Sequence, residues 1–102
     1  MRGNCYNAQG IVINPSVPLS GTTATISYSG LLAKSGATAV YAHVGYGESF
    51  EQPKDFTMTK TPTGFEVTIP VAHAHCLSVC FKDSANNWDN NNGHNYTFDV
   101  EV

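Results

Sequence analysis

The sequence predicts an all-β fold, and three observations predict it. Apolar and polar residues alternate with period two in about seven short runs. Clusters of Gly, Pro and Asn separate those runs. No segment keeps its apolar residues at a sustained helical spacing. About seven short antiparallel strands in a chain of 102 residues suit a β-sandwich of immunoglobulin-like type.

The first run, GIVINP, ends at Pro15. TTATISYS sets Ala24, Ile26 and Tyr28 against Thr23, Thr25 and Ser27. ATAVYAHVG puts Val40, Ala42 and Val44 on one face, with Tyr41 and His43 on the other. KDFTMTK is a brief run. TGFEVTIP alternates Phe65, Val67 and Ile69 with Glu66 and Thr68. HCLSVCF places Leu77, Val79 and Phe81 together. NYTFDVEV closes the chain, with Tyr96, Phe98, Val100 and Val102 opposed to Asn95, Thr97, Asp99 and Glu101. The breaks fall at PSVPLSG, LAKSG, GYGESFEQP and the Asn-rich loop. No repeat or linker interrupts the pattern, so residues 1–102 are expected to form a single domain.

Hydrophobic residues make up 41% and charged residues 13%, enough apolar material for a core and too few charges for a disordered chain. Five Lys and Arg face eight Asp and Glu, a net charge of -3. Such a chain has no electrostatic footprint for nucleic acid or for an anionic membrane. Its apolar runs are too short to span a bilayer. The opening MRGNCYNAQG has no apolar core of a secretory signal. The expectation is a cytoplasmic protein if the chain stands alone, or an extracellular one if it was excised from a secreted enzyme.

Three cysteines, Cys5, Cys76 and Cys80, do not make a disulfide framework. Cys76 and Cys80 share one strand, and four residues of strand separate them by roughly 13 Å, too far for a bridge. The expectation is thiols packed as small apolar groups, with a bridge from Cys5 to one of the other two as the alternative. HAHC with Cys80 looks like a metal cluster, but on a strand His75 and Cys76 point to opposite faces, and the two Cys are too far apart for one tetrahedral ion. WDNNNG resembles a calcium loop out of register: with Gly93 at position six, Trp88 stands where the first acid belongs. No cofactor is expected. Glu48, Glu51, Asp55, Asp83 and Asp89 are scattered over loops and read as solvated surface, and no nucleophile or phosphate motif is present. An enzyme is therefore disfavoured.

Aromatic and amide residues remain. Trp88, the one Trp of the chain, lies among amides in NNWDNNNGHNY. Tyr46 and Phe50 lie in GYGESF, just after the strand that carries His43. A pyranose has apolar C–H faces and a rim of hydroxyls. Rings cover the faces, and amides and imidazole bond the rim without net charge. Asp89, Asn90 and Gly93 are expected to shape the turn that presents Trp88.

VYAHVGYGESF, FTMTKTPTGFEVTIPV and CFKDSANNWDNNNGHNYTFDV together resemble a family 25 carbohydrate-binding module, a starch-binding domain usually appended to amylases. The related family 53 modules of plant starch synthases carry similar blocks. The likeness runs from GIVINP to the end, and its most specific part is the Trp-Asp-Asn-Asn block. It implies a β-sandwich and a glucan resting on two aromatics beside a His. Trp88 and His43 match the first ring and the imidazole. The family's second Trp is replaced by Phe50, with Tyr46 as an alternative, so weaker binding is expected. Asn90, Asn91 and Asn92 are assigned to hydroxyl contacts. The implied partner is an α-1,4-glucan, with an amylase-type enzyme attached or nearby. The rival readings are an immunoglobulin-like interaction or structural domain, whose Asn loop is only a turn, and a small metal-dependent protein.

Overall fold

A computed structural model describes residue 6 and residues 9–47 and 50–102. Among these, nine strands and one helical turn follow one another. They are β1 (Ile11–Asn14), β2 (Thr23–Tyr28), α1 (Leu31–Lys34), β3 (Val40–Tyr46), β4 (Glu51–Thr57), β5 (Thr59–Thr61), β6 (Gly64–Pro70), β7 (Cys76–Asp83), β8 (Trp88–Asp89) and β9 (Tyr96–Asp99). Two antiparallel sheets form the predicted sandwich. The four-stranded sheet runs β1-β2-β6-β5, and the five-stranded sheet runs β4-β3-β7-β8, with β9 also on β7.

The period-two pattern decides what lies between the sheets. Ala24, Ile26 and Tyr28 of β2 are buried, as are Phe65 and Ile69 of β6. Val40, Ala42 and Val44 of β3 meet them with Leu77, Val79 and Phe81 of β7, and Tyr96 and Phe98 of β9 close the core. Each of the Val, Leu, Ile and Phe side chains contributes about 1.5–3 kcal/mol by leaving water. Val102 departs from the expected face and is exposed.

Three elements differ from the sequence expectation. KDFTMTK is divided: β4 belongs to the five-stranded sheet and β5 to the four-stranded one. The switch falls at Met58, whose buried side chain fills the corner and whose N–H donates to the Val40 carbonyl at 3.0 Å. LAKSG, expected as a break, begins as the single helical turn α1, too short to leave a helical period. Leu32 is its buried residue, and its N–H donates to the Tyr28 hydroxyl at 2.9 Å. Trp88 and Asp89, expected in a loop, form the two-residue strand β8, which pairs with Lys82 and Phe81.

Candidate functional site

Strand β8 sets the site by alternation. Trp88 points outward, 45% exposed, whereas Asp89 points inward and is 7% exposed. The Asp89 carboxylate accepts hydrogen bonds from the Tyr28 hydroxyl at 2.6 Å and from the Tyr96 hydroxyl at 2.7 Å. Tyr28 is itself stacked on Phe81 at 4.1 Å between centroids. Burial first, and the Asp89 bond second, push both phenols far above their ordinary range. Asp89 is thus a buried anchor, which corrects its reading as a solvated acid. Holding Asp89 inward commits Trp88 to the outer face, since neighbours on a strand point oppositely.

The outer face of the five-stranded sheet gathers the rest. His43 on β3 lies opposite Asp55 on β4 and Cys80 on β7, and Lys82 on β7 lies opposite Trp88. His43 Nδ1 stands 2.5 Å from Asp55 Oδ1, and Lys82 Nζ is 3.5 Å from Asp55 Oδ2. The His43 bond, ahead of the other causes, holds the Asp55 carboxyl below its usual range. With Nδ1–H donating to that carboxylate, a neutral His43 keeps Nε2 as an acceptor for a hydroxyl. The Lys82 ammonium stands 5.5 Å from the centroid of the Trp88 ring and covers one face. The Cys80 thiol, buried and near Asp55 and Asp89, is pushed up to about 11, which leaves it protonated and unreactive.

Three rings meet on this face. The His43 and Trp88 centroids are 5.9 Å apart with planes at 87°, and those of His43 and Phe50 are 5.3 Å apart at 36°. The planes of Trp88 and Phe50 therefore differ by at least the gap between those two angles, 51°. Phe50 takes a left-handed backbone, φ 52°, uncommon for a bulky residue and a source of strain. Its ring lies on Gly45, where a Cβ would come within 2.5 Å of it. A glycine inside a strand marks such a close approach and was the available signal for the ring's position.

Tyr46, the alternative platform, belongs to the core. It is 9% exposed, and its hydroxyl donates to the Pro70 carbonyl at 2.6 Å. Extending the Val40, Ala42, Val44 alternation by one step leads to this placement. The Asn loop also works differently from the expectation. Asn91, Asn92 and Gly93 take successive left-handed conformations, with φ of 55°, 56° and 90°. Asn and Gly are the residues that tolerate this backbone. Asn90 Oδ1 accepts from the Gly93 N–H at 3.0 Å, and Asn91 Nδ2 donates to the Asn95 carbonyl at 3.0 Å. The amide run thus shapes the turn first. Asn92 is exposed, and Asn90 Nδ2 and Asn91 Oδ1 offer further capacity beyond these bonds.

A depression of about 430 Å³ between α1 and the β5–β6 hairpin, lined by Lys34, Lys60 and Thr63 among others, lies away from this cluster and presents no exposed ring. No three of His, Cys, Asp or Glu gather into a metal site among the described residues. His73 and His75 are exposed, and His73 Nδ1 is 3.2 Å from Ser20 Oγ. Cys5 and Glu48 lie outside the described residues.

Comparison with known proteins bears on the family of this chain. An α-amylase of Clostridium acetobutylicum is 35% identical over 77 residues, 72% of this chain and 10% of the amylase. The chain thus spans about a tenth of the length of that relative. No solved structure matches. The family whose sequence pattern matches is a starch/carbohydrate-binding module, family 53, over residues 24–79. That match includes His43 and Phe50 and ends before Trp88, so it stands apart from the Asn-rich block that carried much of the resemblance. The family matched is 53, the relative named beside family 25. The chain belongs to the family 53 starch/carbohydrate-binding modules.

Proposed function

We propose that this module binds α-1,4-glucans, as starch, glycogen or maltooligosaccharides, without catalysing their cleavage. The supporting observation is the open trio of Trp88, His43 and Phe50, in which two platforms are inclined by at least 51°. An α-1,4-glucan curves, so consecutive glucoses present their faces at an angle. A flat β-glucan would need coplanar rings. Trp88 and Phe50 stack on the sugar C–H faces, His43 Nε2 accepts from a hydroxyl, and Asn90, Asn91 and Asn92 serve the rim. Among the described side chains, the two acids beside the rings are already engaged. Asp55 is engaged by His43 and Asp89 by two tyrosines, which supports binding alone. The amylase likeness supports a parent or neighbouring enzyme of that class, which the module would hold against its substrate.

An open site holding two or three glucoses must order a flexible sugar, so the expected Kd is about 10 µM to 1 mM, or roughly -4 to -7 kcal/mol. Titration with maltoheptaose, read by calorimetry and by NMR of the labelled chain, tests this reading. Shifts centred on Trp88, His43 and Phe50 are expected. Absence of any change at millimolar sugar would remove the proposal.

A further inference from the structure

The ring of Trp88 has a second neighbourhood. Strand β8 ends the five-stranded sheet on its side, and beyond it a cavity of about 370 Å³ opens, lined by Leu31, Leu32, Ser35, Asp83, Asn87 and Trp88. None of His43, Phe50 or Lys82 lines it, so it is reached across Trp88 from the trio already described. We propose that this cavity is a further subsite that takes the next glucose unit of the same α-glucan chain. The inference rests on the α-glucan reading above.

The chemistry of the lining suits a pyranose. Leu31 is 59% exposed at the start of α1, and a large apolar side chain left open beside a Trp edge offers cover for a sugar C–H face. The polar partners are prearranged. Asp83 Oδ1 accepts from the backbone N–H groups of Ala85 and Asn87, both at 2.9 Å, and Asp83 Oδ2 accepts from Asn87 Nδ2 at 3.0 Å. The Asn87 bond is also what chiefly holds the Asp83 carboxyl below its ordinary range. This turn fixes a carboxylate and an amide side by side in the lining. Each retains capacity after those bonds: a carboxylate has about four lone-pair sites, and an amide has a second N–H and a carbonyl oxygen. Ser35 adds a hydroxyl to the lining. The occupant follows from continuity. The cavity shares Trp88 with the sugar trio, and a curved chain leaving that ring passes over the sheet edge toward α1. Its lining of apolar groups, one carboxylate and neutral polar groups has no cation to draw an anion.

The test is an NMR titration of the full chain with maltotriose and with maltoheptaose, joined to calorimetry of Leu31→Ser. Maltoheptaose is expected to shift the amides of Leu31, Ser35 and Asn87 in addition to those of His43 and Phe50. Leu31→Ser is expected to lower the ratio of maltoheptaose to maltotriose affinity about threefold, as loss of a modest apolar contact does. Shifts at His43 and Phe50 with none around Leu31, Ser35 and Asn87 would overturn this subsite and leave the α-glucan reading standing. No shift at either place would overturn both. The wild-type titration decides the matter even where Leu31→Ser fails to fold.

Discussion

The two sheets obey one pleating rule and carry different outer faces. On the four-stranded sheet most outward residues of the central strands are short, Glu66 excepted. Thr25 lies opposite Thr68 and Ser27 opposite Glu66, and the two threonine hydroxyls bond each other at 3.0 Å. On the five-stranded sheet the outward residues are long and linked: Asp55, His43, Lys82 and Trp88 form one chain of contacts, with Phe50 laid over Gly45. Alternation only decides which side chains face out. The length, charge and aromaticity of those side chains decide whether a face is a solvated ladder or a site.

Removing the anchor beneath the site should have the largest effect. Asp89→Ala strips two buried tyrosine hydroxyls of their acceptor and should cost about 3 kcal/mol of stability, measured by urea unfolding. Sugar binding should fall with it as β8 loosens. Trp88→Ala inverts that pattern. It should cost roughly 2 kcal/mol or more of maltoheptaose binding and barely move the melting temperature. A core role for Trp88 would instead cost about 3–5 kcal/mol of folding.

The next effect sharpens the aromatic side of the contrast. Phe50→Trp should strengthen binding by about 0.5–1 kcal/mol through a few tens of Å² of added stacking. Loss of stability with no gain in affinity would show the space over Gly45 to be already full. The Asp55–His43 contact should matter less. The Asp55 carboxyl sits below its ordinary 3.8, so the stabilisation is present above that pH and is lost as pH falls through the lowered native value. Asp55 is 46% exposed, and solvent limits the contribution to about 0.5 kcal/mol or less. Asp55→Asn should therefore differ from wild type at neutral pH and converge with it as pH falls through the lowered native value. Smallest of all, Thr68→Val on the plain sheet should shift stability within about 0.5 kcal/mol and leave glucan affinity unchanged in calorimetry.

Much of the sandwich was legible because burial follows a period that sequence displays directly. Val40, Ala42 and Val44 read as one inward stripe, and so did Leu77, Val79 and Phe81. Met58 was not legible as a corner: an alternating run looks the same whether its two halves pair with one sheet or two. The candidate site was legible in its rings and imidazole. Asp89 was missed because a carboxylate amid amides looks solvated, and its two tyrosine donors lie 61 and 7 residues away in sequence. Tyr46 was misplaced by ending the strand one step early. The Asn run was visible, but composition does not distinguish amides that meet a ligand from amides that tolerate a left-handed backbone.

The outward turn of Trp88 also determines what light can report about this molecule. Indole emission moves to shorter wavelength when water leaves the ring. Here the chain's one indole is already half in water when the protein is folded, so unfolding adds less hydration than it would to a core indole and should change the emission maximum less. A sugar laid across the ring removes water and should shift the maximum to the blue. Tryptophan fluorescence, normally a folding signal, would in this module be an occupancy signal, and folding would have to be followed by circular dichroism or by the buried tyrosines Tyr28 and Tyr96.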